Sequence, residues 1–194
     1  MNAEQKGVRA MNIDIALAAA TAAGVTGGVI LSLGADEKTL ISLSGSEAKL
    51  SLAAAGDWFG IFSHSAAGAG LILLAAFLLG FCAVAQPFEI LLASFRGLGL
   101  GVCVRGIYLG EGIFRSMALF LPFATASTGI LLLGIKEAFR LSMRYLSISA
   151  TSENRIGLRR EIKDYVFKFI VMAALILAFA ALDAFIALLL CRLT

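Results

Sequence analysis

Charge is scarce in this chain. Asp, Glu, Lys and Arg make up 15% of 194 residues, against about 25% in soluble domains. Histidine occurs once and cysteine three times. There is no HExxH, no GxSxG and no aspartate pair suited to intramembrane proteolysis. The glycine run 97–101 lacks the Lys-Ser/Thr of a phosphate loop and follows no strand. Three cysteines are too few, and odd in number, for a disulfide scaffold; Cys82, Cys103 and Cys191 have no metal-site or redox spacing. The lone histidine, His64, has no evident partner.

What remains is apolar. The AVILMFWYC set accounts for 60% of the chain; counting Gly and leaving out Tyr gives about 69%, against roughly 45–50% in soluble domains. A soluble domain of this size has no interior large enough for that excess, because much of its surface stays wet. A soluble enzyme and a disordered chain are both excluded, and lipid is the solvent that fits. The fold class expected is an all-α integral membrane protein forming one domain.

A bilayer-crossing helix needs about 20 mainly apolar residues. Five runs qualify, at about 12–33, 66–86, 88–109, 113–135 and 166–190. The first follows Lys6 and Arg9 and contains a small-residue Ala18-Ala19-Ala20 step. The apolar stretch before it is short and broken by Asp14, so an uncleaved span is favoured over a removed signal. The connection 136–165 carries Lys136, Arg140, Arg144, Arg155, Arg159, Arg160 and Lys163. The 34–65 connection carries Lys38 and Lys49 against Asp36, Glu37, Glu47 and Asp57. Lys and Arg collect on the cytoplasmic side, so 136–165 is an inner segment and 34–65 an outer loop. Four spans separate 136–165 from the N-terminus, which places the N-terminus in the cytoplasm too. Trp58, Phe59 and Phe62 stand where aromatic rings anchor at the lipid–water boundary, and 46–55 reads as a weak surface helix. Glu137–Leu146 continues the fourth span as helix. Ser147–Asn154 reads as a turn, and a further helix from about Arg155 enters the last span.

Polar residues inside the spans are costly and mark either function or packing. The third span holds Gln86, Glu89 and Arg96, then Gly97, Gly99 and Gly101. Glycines weaken a helix, so a broken or re-entrant segment around 80–101 is expected. One reading makes Gln86, Glu89 and Arg96 the polar site of a small transporter or channel component. The other makes Gly97-xxx-Gly101 a helix-packing face with Arg96 turned into the bundle. Gly24-xxx-Gly28, Gly106-xxx-Gly110, Ala174-xxx-Ala178 and Ala180-xxx-Ala184 repeat that spacing, which favours packing. Arg105, Glu111, Arg115 and Asp183 share a depth near the outer side, so Asp183 is expected to pair with Arg105 or Arg115. Pro122 is expected to kink the fourth span.

Leu79-Gly-Phe-Cys-Ala-Val-Ala-Gln-Pro87 and Phe95-Arg-Gly-Leu-Gly-Leu-Gly101 resemble the stage II sporulation protein M family. Met117–Pro122, Gly134–Leu141 and Ala180–Ile186 are similar to that family's later segments, with Asp183 where Glu often stands. The resemblance runs from about residue 58 to the end. It departs at Phe123-Ala124, where family members often carry Gln-Asn. The resemblance implies a non-enzymatic scaffold in the mother-cell or septal membrane of endospore-forming bacteria. It would hold two peptidoglycan-degrading partners, stage II sporulation proteins D and P, during engulfment. No cofactor, metal or nucleic-acid partner is implied. Membrane lipids are the first partners expected, and self-association stays open.

Overall fold

The structure is a computed structural model that describes residues 3–34, 36, 46–109, 113–151 and 158–192. Six helices carry them: α1 (Ala3–Ser32), α2 (Ser46–Ala54), α3 (Trp58–Leu79), α4 (Gln86–Leu109), α5 (Ile113–Thr151) and α6 (Leu158–Arg192). Among the described residues, four segments are long and apolar enough to cross a membrane: Ile13–Ser32, Trp58–Leu79, Gln86–Tyr108 and Arg159–Arg192. These are compatible with a multi-pass membrane protein. Their outer faces expose large apolar side chains such as Leu71, Phe95, Phe167 and Leu182, which suit lipid and not water.

Local chemistry sets the boundaries. α2 stops at Gly56, whose φ of 71° lies in the left-handed region that glycine enters without steric cost. Asp57 then caps α3, its Oδ1 accepting the Gly60 N–H at 2.9 Å. Trp58 and Phe62 stack over the first turn, ring centroids 5.3 Å apart. The cap draws the second span's helix back to Trp58 from the expected start near 66, so the connection before it is correspondingly shorter. α3 ends at Gly80, and a tight turn through 80–85 returns the chain into α4. There Pro87 sits in the first turn, where its missing N–H has no helical acceptor to lose.

Two expectations are overturned. α4 is continuous through Gly97, Gly99 and Gly101, so no broken or re-entrant segment occupies 86–101; the chain reverses before it, at 80–85. The propensity cost of those glycines is outweighed by close packing on α1. Ser147–Thr151 is the last turn of α5 and no loop, while 152–157 lie outside the described residues. α5 passes through Pro122 as helix.

The helices alternate in direction. Thr21 and Val25 of α1 meet Gly97 and Gly101 of α4 in the same order, so α1 and α4 run parallel. Ser65 meets Asp183, and Phe77 meets Tyr165, so α3 and α6 are antiparallel. Gly134 meets Met172, and Arg144 meets Glu161, so α5 and α6 are antiparallel as well. One core gathers Ala76, Ala93, Leu131, Ile135 and Ala138 with Tyr165 and Phe169. A smaller one joins Ala53 and Ile61 to Ala184 and Ala187. Alanine is the most frequent residue of the two cores taken together, in keeping with lipid being as apolar as leucine. Helices in a membrane gain little from removing apolar surface from solvent, and close backbone approach and polar bonds decide their association.

Candidate functional site

The polar side chains of the bundle fall into three levels. At the end capped by α2, Asp183 of α6 is 5% exposed and Lys49 of α2 only 2%. The Lys49 ammonium donates to both carboxylate oxygens, at 2.7 and 2.6 Å. The Ser65 hydroxyl donates to Oδ2 at 2.7 Å, and the ammonium lies 4.7 Å from the centre of the Phe120 ring. This corrects the expected partner: Asp183 is held by Lys49 and not by Arg105. Arg105 is half-buried, its Nε without a hydrogen-bond partner; the Arg115 side chain lies outside the described residues. α2, expected as a surface helix, closes this end by inserting Lys49 into the bundle. Lys49 and Ser65 were missed because a lysine in a polar connection reads as solvated. The signal was Asp183 itself, a buried carboxylate that requires a cation.

At mid-depth, Arg96 reaches α5. Its Nε donates to Thr128 Oγ1 at 3.1 Å, and one terminal nitrogen donates to Ser127 Oγ at 2.7 Å and to the Ala124 carbonyl at 3.5 Å. Thr128 and Ser127 donate in turn to the same Ala124 carbonyl. The guanidinium is thus bound within the protein.

α1 and α4 touch backbone to backbone. A Cβ on Gly24 would collide with the Ser94 carbonyl oxygen, and one on Gly28 with the Leu98 carbonyl oxygen. On the facing helix, a Cβ on Gly97 would strike the Thr21 carbonyl, and one on Gly101 the Val25 carbonyl. Two small-xxx-small faces mesh in parallel, each filling the other's groove. Gly106 is buried on α4, and Gly110 lies outside the described residues.

At the opposite end, a belt of ion pairs links α1 and α6 to α5. Lys136 reaches Asp14 at 2.6 Å, Glu137 takes Arg140 at 3.1 Å and Lys168 at 2.8 Å, and Arg144 takes Glu161 at 2.7 Å. Inside the belt, Tyr165 donates to the Phe77 carbonyl at 3.0 Å and stacks among Phe77, Phe81 and Phe169. Ser142 donates to the Cys82 carbonyl at 2.8 Å, fastening the 80–85 turn to α5. Gln86 donates to the Ala83 carbonyl of that turn at 3.3 Å. Glu89 is fully buried, and neither carboxyl oxygen has a hydrogen-bond partner.

Gln86, Glu89 and Arg96 therefore do not converge. Gln86 is tied to the turn, Arg96 to α5, and the Glu89 carboxyl hydrogen-bonds to neither. Between α3 and α6 runs a groove of about 450 Å³ lined by Ala66, Gly70, Leu73, Phe77, Phe169 and Ile176 among others; it presents no polar side chain. Among the described residues no group of His, Cys, Asp and Glu is arranged to hold a metal ion. No family model, curated protein or solved structure matches this chain.

Proposed function

We propose that the chain is a membrane-embedded, non-catalytic scaffold crossing the bilayer five times, with its N-terminus in the cytoplasm. The carrying observation is how the intramembrane polar and small residues are used. Arg96 and Asp183 are bound by neighbouring helices, and the paired glycines bring α1 onto α4 without a side chain between them. A pore needs polar groups facing a shared passage, and these two face other helices. Four of the five crossings are segments apolar enough to span a membrane, and α5 is read as the fifth. α1 and α4 run parallel, as they must if one crossing, α3, lies between them. The belt of charges sits on the end formed by 136–151 and 158–168, and Lys and Arg accumulate in cytoplasmic segments.

The class of partner rests on the sequence resemblance alone. It points to peptidoglycan hydrolases held at the septal or engulfing membrane, with stage II sporulation proteins D and P as the pair to try. Affinity-tagged chain, solubilised from sporulating cells of its own host, is expected to bring both hydrolases with it. Substitutions on the exposed face of α2 are expected to lose them and Arg96→Ala to keep them. Purified protein that moves a solute across liposomes, with flux abolished by Arg96→Ala, overturns the scaffold reading.

A further inference from the structure

Most ionisable side chains described at the belt end of the bundle have a partner or face outward, and Glu89 does neither. It lies in the first turn of α4, fully buried, with both oxygens unbonded. Its own N–H is taken by the Ala85 carbonyl at 3.0 Å. Ala85, just before α4, and Ala93, one turn on within it, are buried with it. The groups on the elements around it are engaged elsewhere. On α1, Asp14 is held by Lys136 of α5. On α5, Glu137 holds Arg140 and, from α6, Lys168. On α6, the Tyr165 hydroxyl, within electrostatic reach of Glu89, donates to α3 carbonyls. On α4 itself Arg96, two turns on, is bound to α5. An ionised carboxylate without a cation or donor costs far more to bury than the neutral acid.

We propose that Glu89 is a proton-binding site inside the bundle, carrying its proton as a neutral carboxylic acid while the helices are packed. The ligand is a proton drawn from the water at the belt end. Closing α4 against α1 and α5 is then coupled to taking one up, which lies outside the scaffold role and does not depend on it.

Infrared spectra of the purified protein at neutral pH test this. Wild type is expected to show a neutral-acid carbonyl stretch that shifts in heavy water and is missing from Glu89→Gln, which keeps the size and neutrality of the acid. A carboxylate band lost in Glu89→Gln, with no neutral-acid band lost, overturns the proposal; Lys136 leaving Asp14 for Glu89 would give that result. Should Glu89→Gln fail to assemble, wild-type membranes treated with dicyclohexylcarbodiimide decide. A protonated carboxyl adds O–H across one C=N bond to give an O-acylisourea, which rearranges to an N-acylurea. Nothing leaves, so the Glu89 peptide gains the whole reagent mass. That adduct is expected on Glu89 and not on exposed Asp14. Its absence overturns the proposal.

Discussion

Lys49 and Asp183 form a buried ion pair with side chains 3% and 4% exposed, and Arg96 makes a hydrogen-bonded contact to hydroxyls; the two should differ in energy. Removing one member of a buried pair strands the other and costs about 3–5 kcal/mol. Asp183→Ala is therefore expected to destabilise the bundle by about that much, since Lys49 would lose the carboxylate that takes its ammonium at both oxygens. Replacing both, Lys49→Met with Asp183→Leu, should restore most of the loss, because an apolar pair of similar volume is often neutral or better. Arg96→Leu strands no charge. Ser127 and Thr128 keep their bonds to the Ala124 carbonyl, and interhelical hydrogen bonds in membranes average about 0.6 kcal/mol, so a loss under about 2 kcal/mol is expected. Thermal unfolding in one detergent ranks the four proteins, and an Arg96→Leu loss exceeding that of Asp183→Ala contradicts the assignment. The sequence marks Arg96 and Asp183 through their depth alone. Which cation meets Asp183 is a tertiary fact, decided by α2 folding back over the end of α6.

Glycine has two different meanings within the helices. At Gly24, Gly28, Gly97 and Gly101 the space of a side chain is filled by the partner's backbone. At Gly27 and Gly99 a Cβ would meet nothing within 4 Å. Alanine should therefore separate α1 from α4 at the first four positions. At the other two it should be neutral or gain up to about 1 kcal/mol, the helix-propensity difference between Gly and Ala. Cysteines introduced in facing positions of α1 and α4 report this by crosslinking efficiency, which is expected to fall for Gly97→Ala and hold for Gly99→Ala. The Gly-xxx-Gly spacing was legible in the sequence and the mesh it makes follows from it. Helix continuity was not, because propensity alone argues for a break at 97–101 and only the contact with α1 offsets it. The start of α3 was hidden for a similar reason. Trp58 and Phe59 read as boundary anchors, and a single capping bond from Asp57 makes them helical instead.

Across the whole molecule, α5 at 39 residues and α6 at 35 extend about 58 and 52 Å at 1.5 Å per residue, well beyond a hydrocarbon core of about 30 Å. The excess lies at and beyond the charged belt, where α5 and α6 continue as an antiparallel pair joined within the belt by Arg144–Glu161. Of the five expected spans, 113–135 is not among the four described segments long and apolar enough to cross a membrane. Helical class and the presence of such segments were legible, since both follow from one-dimensional hydropathy. Which helices neighbour one another was not, because every span presents much the same apolar surface. The orientation can be tested with two introduced cysteines after Cys82, Cys103 and Cys191 are replaced. Ala54 is exposed on α2, and Ser147 is exposed on the α5 extension. If the belt end is cytoplasmic, a membrane-impermeant maleimide added to intact cells should label Ala54→Cys and spare Ser147→Cys until the membrane is opened. Labelling in the reverse order would turn the molecule over and move α2 to the cytoplasm, away from any wall enzyme. Labelling of both in intact cells would contradict the alternation of the helices, because α2 and the α5 extension lie at opposite ends of one bundle.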